Sequence, residues 1–329
     1  MTRKGWLLFA LMGVVWGLPY LLIKVSVESV TPATLVFLRT AVGALILVPI
    51  ALVRSEVAPL VRYWKPLLVY TVIEIALPWL LLSSAEKRLP SSLTGLLVAA
   101  VPLVGALVAL GWGDDARSTA AQYGGMLLGL GGVAALVGLD IGTAPAGNYL
   151  EMAGVVVCYA VGPFIIARYL DGAPRLGVIA ISVGAVAVGY APVGIAELPA
   201  HIPPGRVIAS ILALAVVCTA VAFVAFFALI AEIGPVRATV ITYVNPAIAV
   251  LLGVTLVHEK LTTGTVVGFV LILSGSFLAT RARVASSGQT ATDGLPPARV
   301  TGLGAGTDGI RVQTAPSAHA YAMESDLPE

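Results

Sequence analysis

Ten apolar stretches of about twenty residues succeed one another along the chain, at roughly 5–24, 33–53, 66–85, 92–112, 119–139, 148–170, 176–196, 207–230, 236–257 and 262–281. At ~1.5 Å of rise per residue, a helix of that length covers the ~30 Å hydrocarbon core of a bilayer. Hydrocarbon offers no hydrogen bonds to the backbone, so a lone apolar segment crossing it has to be helical. The expected fold class is all-α integral membrane, with ten transmembrane helices. Composition agrees: 11% of residues are charged, against about 25% in soluble domains, and the mean hydropathy is +0.98.

Charge placement gives an orientation. With the N-terminus inside, the inner boundaries carry Arg3, Lys4, Arg54, Arg62, Lys65, Arg117, Arg168, Arg175, Arg237, Arg281 and Arg283. The outer ones hold only Lys24, Lys87, Arg88, Arg206 and Lys260. Positively charged loops stay in the cytoplasm, which predicts a plasma-membrane protein with both termini cytoplasmic. The basic start runs into an apolar stretch with no small-x-small cleavage site, so the first segment reads as an uncleaved span. After Arg283 the chain turns rich in Gly, Pro, Ser and Thr, and residues 284–329 are expected to form a disordered cytoplasmic tail.

The chain also repeats. A shift of 144 residues lays "GLPYLLIK" (17–24) on "VGPFIIAR" (161–168), pairing Pro19 with Pro163, and the same shift pairs Pro102 with Pro246 and Asp115 with Glu259. Five spans is an odd number, so a second copy enters the membrane the other way round. The expectation is two inverted five-helix repeats, 1–144 and 145–283, the arrangement that underlies alternating access in many secondary carriers.

Several motifs then accumulate in order: Trp16-Gly17, "TPATLVFLR" ending in Arg39, "TGLLVAAVPLVGAL", and "ATVITYVNPAIAVLLGVTLVHEKLT" followed by "GFVLILSG". In these the chain resembles the drug/metabolite transporter superfamily, and within it the ten-span EamA type, over residues 5–281. That family often ends spans four and nine in Gly-Glu; here the positions read Gly113-Asp114-Asp115 and His258-Glu259. The resemblance implies an inner-membrane carrier, commonly an exporter of amino acids, other small metabolites or drugs, often coupled to protons.

Two charged residues fall deep inside expected spans, Arg39 at about 10 Å and Glu74 at about 16 Å from the outer surface. A carboxylate at that depth is costly unless neutral, paired or wet. Glu74 therefore reads either as a proton- or cation-coupling group or as a structural acid paired with Arg39, and Arg39 as that partner or as a receptor for a substrate carboxylate. Trp16, Tyr20, Trp79, Tyr159, Phe164, Tyr190 and Tyr243 suit a cavity for an apolar, aromatic or cationic solute, or alternatively helix packing. Asn245 is the best hydrogen-bonding side chain within the second copy. Pro19, Pro78, Pro102, Pro163 and Pro246 interrupt the backbone ladder, as hinges or as ordinary kinks. Lys24 and Arg168 are expected to snorkel, Glu259 to serve helix packing, and Gly124, Gly131, Gly268 and Gly275 to admit close helix contacts.

Other classes fit poorly. No nucleotide-binding loop points to an ATP-driven pump, and no boundary cluster of His, Asp, Ser or Cys points to a membrane enzyme. His201, His258 and His319 have no metal-ligating neighbours, and neither metal nor cofactor is expected. Cys158 and Cys218 read as apolar packing residues. A net charge of +2 with no basic block gives no reason to expect nucleic acid. The expected partners are a small-molecule substrate and the lipid bilayer, with a homodimer as an open assembly. A multidrug or organic-cation exporter is the alternative reading.

Overall fold

The computed structural model describes residues 2–111, 120–139, 145–234, 238 and 241–293. Every regular element among them is helical. Seven helices are long and apolar enough to cross a membrane: α1 (Arg3–Ser26), α2 (Pro32–Val53), α3 (Ala58–Ala85), α4 (Ser91–Ala109), α6 (Ala146–Tyr169), α7 (Arg175–Ala196) and α8 (Gly205–Ile233). Three further helices contain shorter apolar runs: α5 (Ala120–Leu139), α9 (Ile241–Leu256) and α10 (Thr263–Asp293). The family-type acid at Asp115 and residues 294–329 of the tail lie outside the described residues. Helix α10 runs ten residues past the boundary expected at Arg283, through "VASSGQTATD", which holds no Pro to stop it.

Local chemistry sets the helix ends. Thr2 caps α1 by accepting from Gly5 N at 3.0 Å, and Thr31 caps α2 by accepting from Thr34 N at 3.2 Å, with Pro32 as the first helical residue. Two C-termini close on left-handed residues that are not glycine, Ser55 (φ 57) and His258 (φ 57). After each, a backbone N–H turns back onto the helix: Glu56 N bonds Ala51 O at 2.9 Å and Glu259 N bonds Gly253 O at 3.0 Å.

That turn aims a glutamate at a neighbouring helix. Glu56 Oε2 accepts from Gly177 N at the start of α7 (3.0 Å). Glu259 takes the start of α4, accepting from Ser91 N (2.7 Å), Ser91 Oγ (2.9 Å) and Ser92 N (2.9 Å). The Gly-Glu pattern of the resemblance thus has a physical reason, because the residue before the acid needs positive φ. His258 adopts it at a cost of about 1 kcal/mol. His258→Gly is expected to raise stability by about that amount, and His258→Val to lower it, as read by thermal unfolding in detergent.

Three pairs of helices matched by the 144-residue shift lie side by side and run in opposite directions. Along α2 and α7, Thr34 Oγ1 donates to Gly194 O (3.1 Å), Val48 faces Gly184, and Glu56 reaches Gly177. Along α4 and α9, Ser91 meets Glu259 and Gly95 meets Ala249. Along α5 and α10, Gly129 abuts Gly275, Gly132 abuts Ile272 and Leu136 abuts Gly268. Gly268 and Gly275 therefore do admit close contact, whereas Gly124 and Gly131 face open space. In Trp16-Gly17 the glycine lets α1 approach Ile248 of α9, while the indole packs on Phe226 of α8 (ring centroids 4.6 Å apart).

Candidate functional site

Near their middles, α3 and α8 each widen into a π-helical turn, Thr71–Ala76 and Val216–Val221. The wider i→i+5 winding frees carbonyls and recurs at functional positions. Hydroxyl groups hold both turns. Thr71 Oγ1 is 2.8 Å from Leu67 O and from Ser182 Oγ of α7, and Tyr190 OH donates to Ala76 O (3.0 Å). In α8, Thr219 Oγ1 donates to Leu214 O (2.8 Å) and accepts from Arg39 Nε of α2 (3.0 Å).

Arg39 is 7% exposed, and its guanidinium lies over the Trp79 ring with Cζ 3.6 Å from the centroid. A cation on an indole face, with a hydrogen bond at its edge, is held without a direct ion pair. The ion pair between Arg39 and Glu74 is accordingly not formed. Glu74, in the first π turn, turns instead to α6, where its carboxyl packs so closely on Gly162 that a Cβ there would displace it. Its Oε2 is buried and has no hydrogen-bond partner among the described residues. Tyr159 of α6 lies within electrostatic reach of both Glu74 and Arg39.

One buried acid escaped the sequence reading. Glu86, just past α3, is fully buried; Thr94 Oγ1 donates to its Oε1 (2.8 Å), and its Oε2 has no partner among the described residues. Beside it Lys24 does not snorkel: Nζ donates to Glu86 O (2.7 Å) and Leu89 O (2.9 Å). The carbonyls left over at the end of α3 offer the ammonium a better site than the lipid interface.

A sequence profile described as the EamA-like transporter family matches residues 3–138 and again 148–281. The chain belongs to this family. Among relatives, the uncharacterized inner membrane transporter YedA of Escherichia coli is 28% identical over 260 residues, 77% of this chain and 83% of that protein. The uncharacterized transporter YvbV of Bacillus subtilis is 24% identical over 281 residues, 83% of this chain and 90% of that one. A solved crystal structure matches with a TM-score of 0.62 at 22% identity, over 87% of this chain and 99% of its own, and so shares the fold.

Within this EamA-family chain, the remaining residues singled out from sequence are distributed as follows. Tyr20 (8% exposed, its ring beside Gly95), Trp79 and Tyr159 surround Arg39, whereas Trp16 packs on Phe223 and Phe226 of α8. Phe164 is half-buried on α6 beside Pro163. Tyr243 and Asn245 tie helices together: Tyr243 OH donates to Ser276 O of α10 (3.1 Å), and Asn245 Nδ2 donates to Ile241 O (3.0 Å) and Gly13 O of α1 (3.2 Å). Pro19, Pro163 and Pro246 lie inside α1, α6 and α9, Pro78 comes two residues after the first π turn, and Pro102 follows a break in α4 at Ala99 and Ala100.

Proposed function

We propose that this membrane transporter is a secondary carrier of the bacterial inner membrane that exports amino acids or other small metabolites by alternating access, with Glu74 as the proton-coupling group. The observation that carries the reading is the buried, unpartnered Oε2 of Glu74 within a π turn against Gly162. A carboxyl group in that setting is stable when protonated, and losing the proton requires water or a cation to reach it. Opening and closing of the interior therefore controls its protonation. Arg39, held by Trp79 and Thr219, makes no ion pair with Glu74.

The two matched copies are read as inverted repeats of five helices, 1–144 and 145–283. The opposite courses of α2 and α7, α4 and α9, and α5 and α10 support this, as do the two π turns at corresponding levels. Both termini are assigned to the cytoplasm on the charge bias of the loops. A multidrug or organic-cation exporter is the second reading, favoured by the cluster of Trp16 with Phe223, Phe226 and Phe227.

The test uses purified protein in proteoliposomes loaded with a pH-sensitive dye and presented with amino acids, other metabolites and organic cations. A transported solute is expected to move protons in the opposite direction, with a pH gradient driving its accumulation. Solute movement with no proton flux refutes the coupling, and organic cations as the sole substrates select the second reading.

A further inference from the structure

We infer that the bundle carries a site for an anionic phospholipid on its N-terminal face, apart from the Arg39–Glu74 interior. The site is a recess of about 570 Å³ lined from the end of α2 and its connector, the start of α7 and the last turns of α8. No residue of α1, α3, α4, α6 or α9 lines it, so it does not belong to the interior where those helices meet.

Its chemistry is divided. Arg54 and Arg175 stand at one side, and neither side chain has an ion pair or hydrogen bond to a described residue, whereas three other cations of that face do have partners. Lys4 is 3.6 Å from Glu232, Arg62 lies over Tyr63, and Lys65 over Trp64. The carboxylate in the recess, Glu56, is engaged with Gly177 N at the positive end of α7. Val224, Phe227 and Ile230 of α8 form the apolar side. Arg54 is shared with a second hollow of about 260 Å³ formed with Pro49, Ile50 and Val53, and Val53 is 87% exposed on the apolar surface.

A soluble anion would match the two guanidinium groups and leave the apolar wall unfilled. A phospholipid fills both, its phosphate between Arg54 and Arg175 and an acyl chain along α8. The left-handed Ser55 holds this corner, turning the chain so that Arg54 stays at the recess while Glu56 reaches α7.

The experiment is native mass spectrometry and thermal unfolding of the full chain in detergent, with phosphatidylglycerol, phosphatidylcholine or glycerol 3-phosphate added. Phosphatidylglycerol is expected to stay bound and to raise the unfolding temperature, with phosphatidylcholine and glycerol 3-phosphate having little effect. The double variant Arg54→Gln/Arg175→Gln should weaken phosphatidylglycerol binding roughly twenty-fivefold, from two guanidinium contacts of about fivefold each. Val224→Trp, which keeps both arginines and fills the apolar wall, should weaken it as well. Equal effects of the two lipids, an equal shift from glycerol 3-phosphate, or undiminished binding in both variants would each overturn the site. The readouts involve no transport, so they stand whether or not the carrier reading holds.

Discussion

Glu74→Gln is expected to abolish proton-driven transport while leaving folding intact. Glutamine has the same shape and can occupy the same π turn, but it cannot take up or release a proton. In proteoliposomes, uptake driven by a pH gradient should fall to the rate seen without a gradient, and the pH dependence of that rate should flatten. Downhill solute movement and exchange should persist, because the substrate path itself is unchanged. Gly162→Ala approaches the same group from the other side: an added Cβ would overlap the Glu74 carboxyl, so the acid must leave its place although no titratable group has been altered. Both variants should lose gradient-driven accumulation. A Glu74→Gln protein that still accumulates solute against a gradient with the parental pH profile refutes the role assigned to Glu74.

Glu259→Ala carries the largest expected effect on stability. Three hydrogen bonds to the start of α4 vanish together, and two backbone N–H groups of the first turn are left bare. Capping contributes up to about 2 kcal/mol and bonds to a charged acceptor add to it, so a loss of about 2–3 kcal/mol is expected. Thermal unfolding in detergent measures it, and Glu259→Gln, which keeps a carbonyl acceptor, should recover part of the loss. An unchanged melting temperature in Glu259→Ala would mean that the start of α4 is satisfied by other groups.

Much of the framework can be read from sequence because lipid permits few solutions. Apolar lengths identify the helices, and a lone acid in "VIEIALPW" stands out. Glu86 was missed for the opposite reason: in "SSAEKRLPSS" it sits among charges, like any helix boundary exposed to water. Only the tertiary closure by Lys24 and Thr94 turns this one acid inward. The π turns leave no mark in "TVIEIA" or "VVCTAV", since their extra width is held by partners on other helices, Ser182, Tyr190 and Arg39. The choice among glycines fails similarly. "GGMLLGLGG" places glycine on several sides of α5, and the position of α10 decides that Gly125, Gly129 and Gly132 are in contact while Gly124 and Gly131 are not.

The crossing glutamates bear on which parts of the bundle can move as units. Glu56 of the first copy completes α7 of the second, and Glu259 of the second completes α4 of the first. Glu197 likewise accepts from Thr31 at the head of α2, and Glu232 from Thr2 at the head of α1. Each half of the chain thus finishes helices that belong to the other. A conformational change that parted the two copies would strip the starts of α4 and α7 and break the glutamate bonds to the cap threonines of α1 and α2, so the bodies held together by these contacts are mixed groups, each with helices from both halves. The seams of the bundle are then set by which caps hold, and they do not follow the boundary between the two matched copies in the sequence.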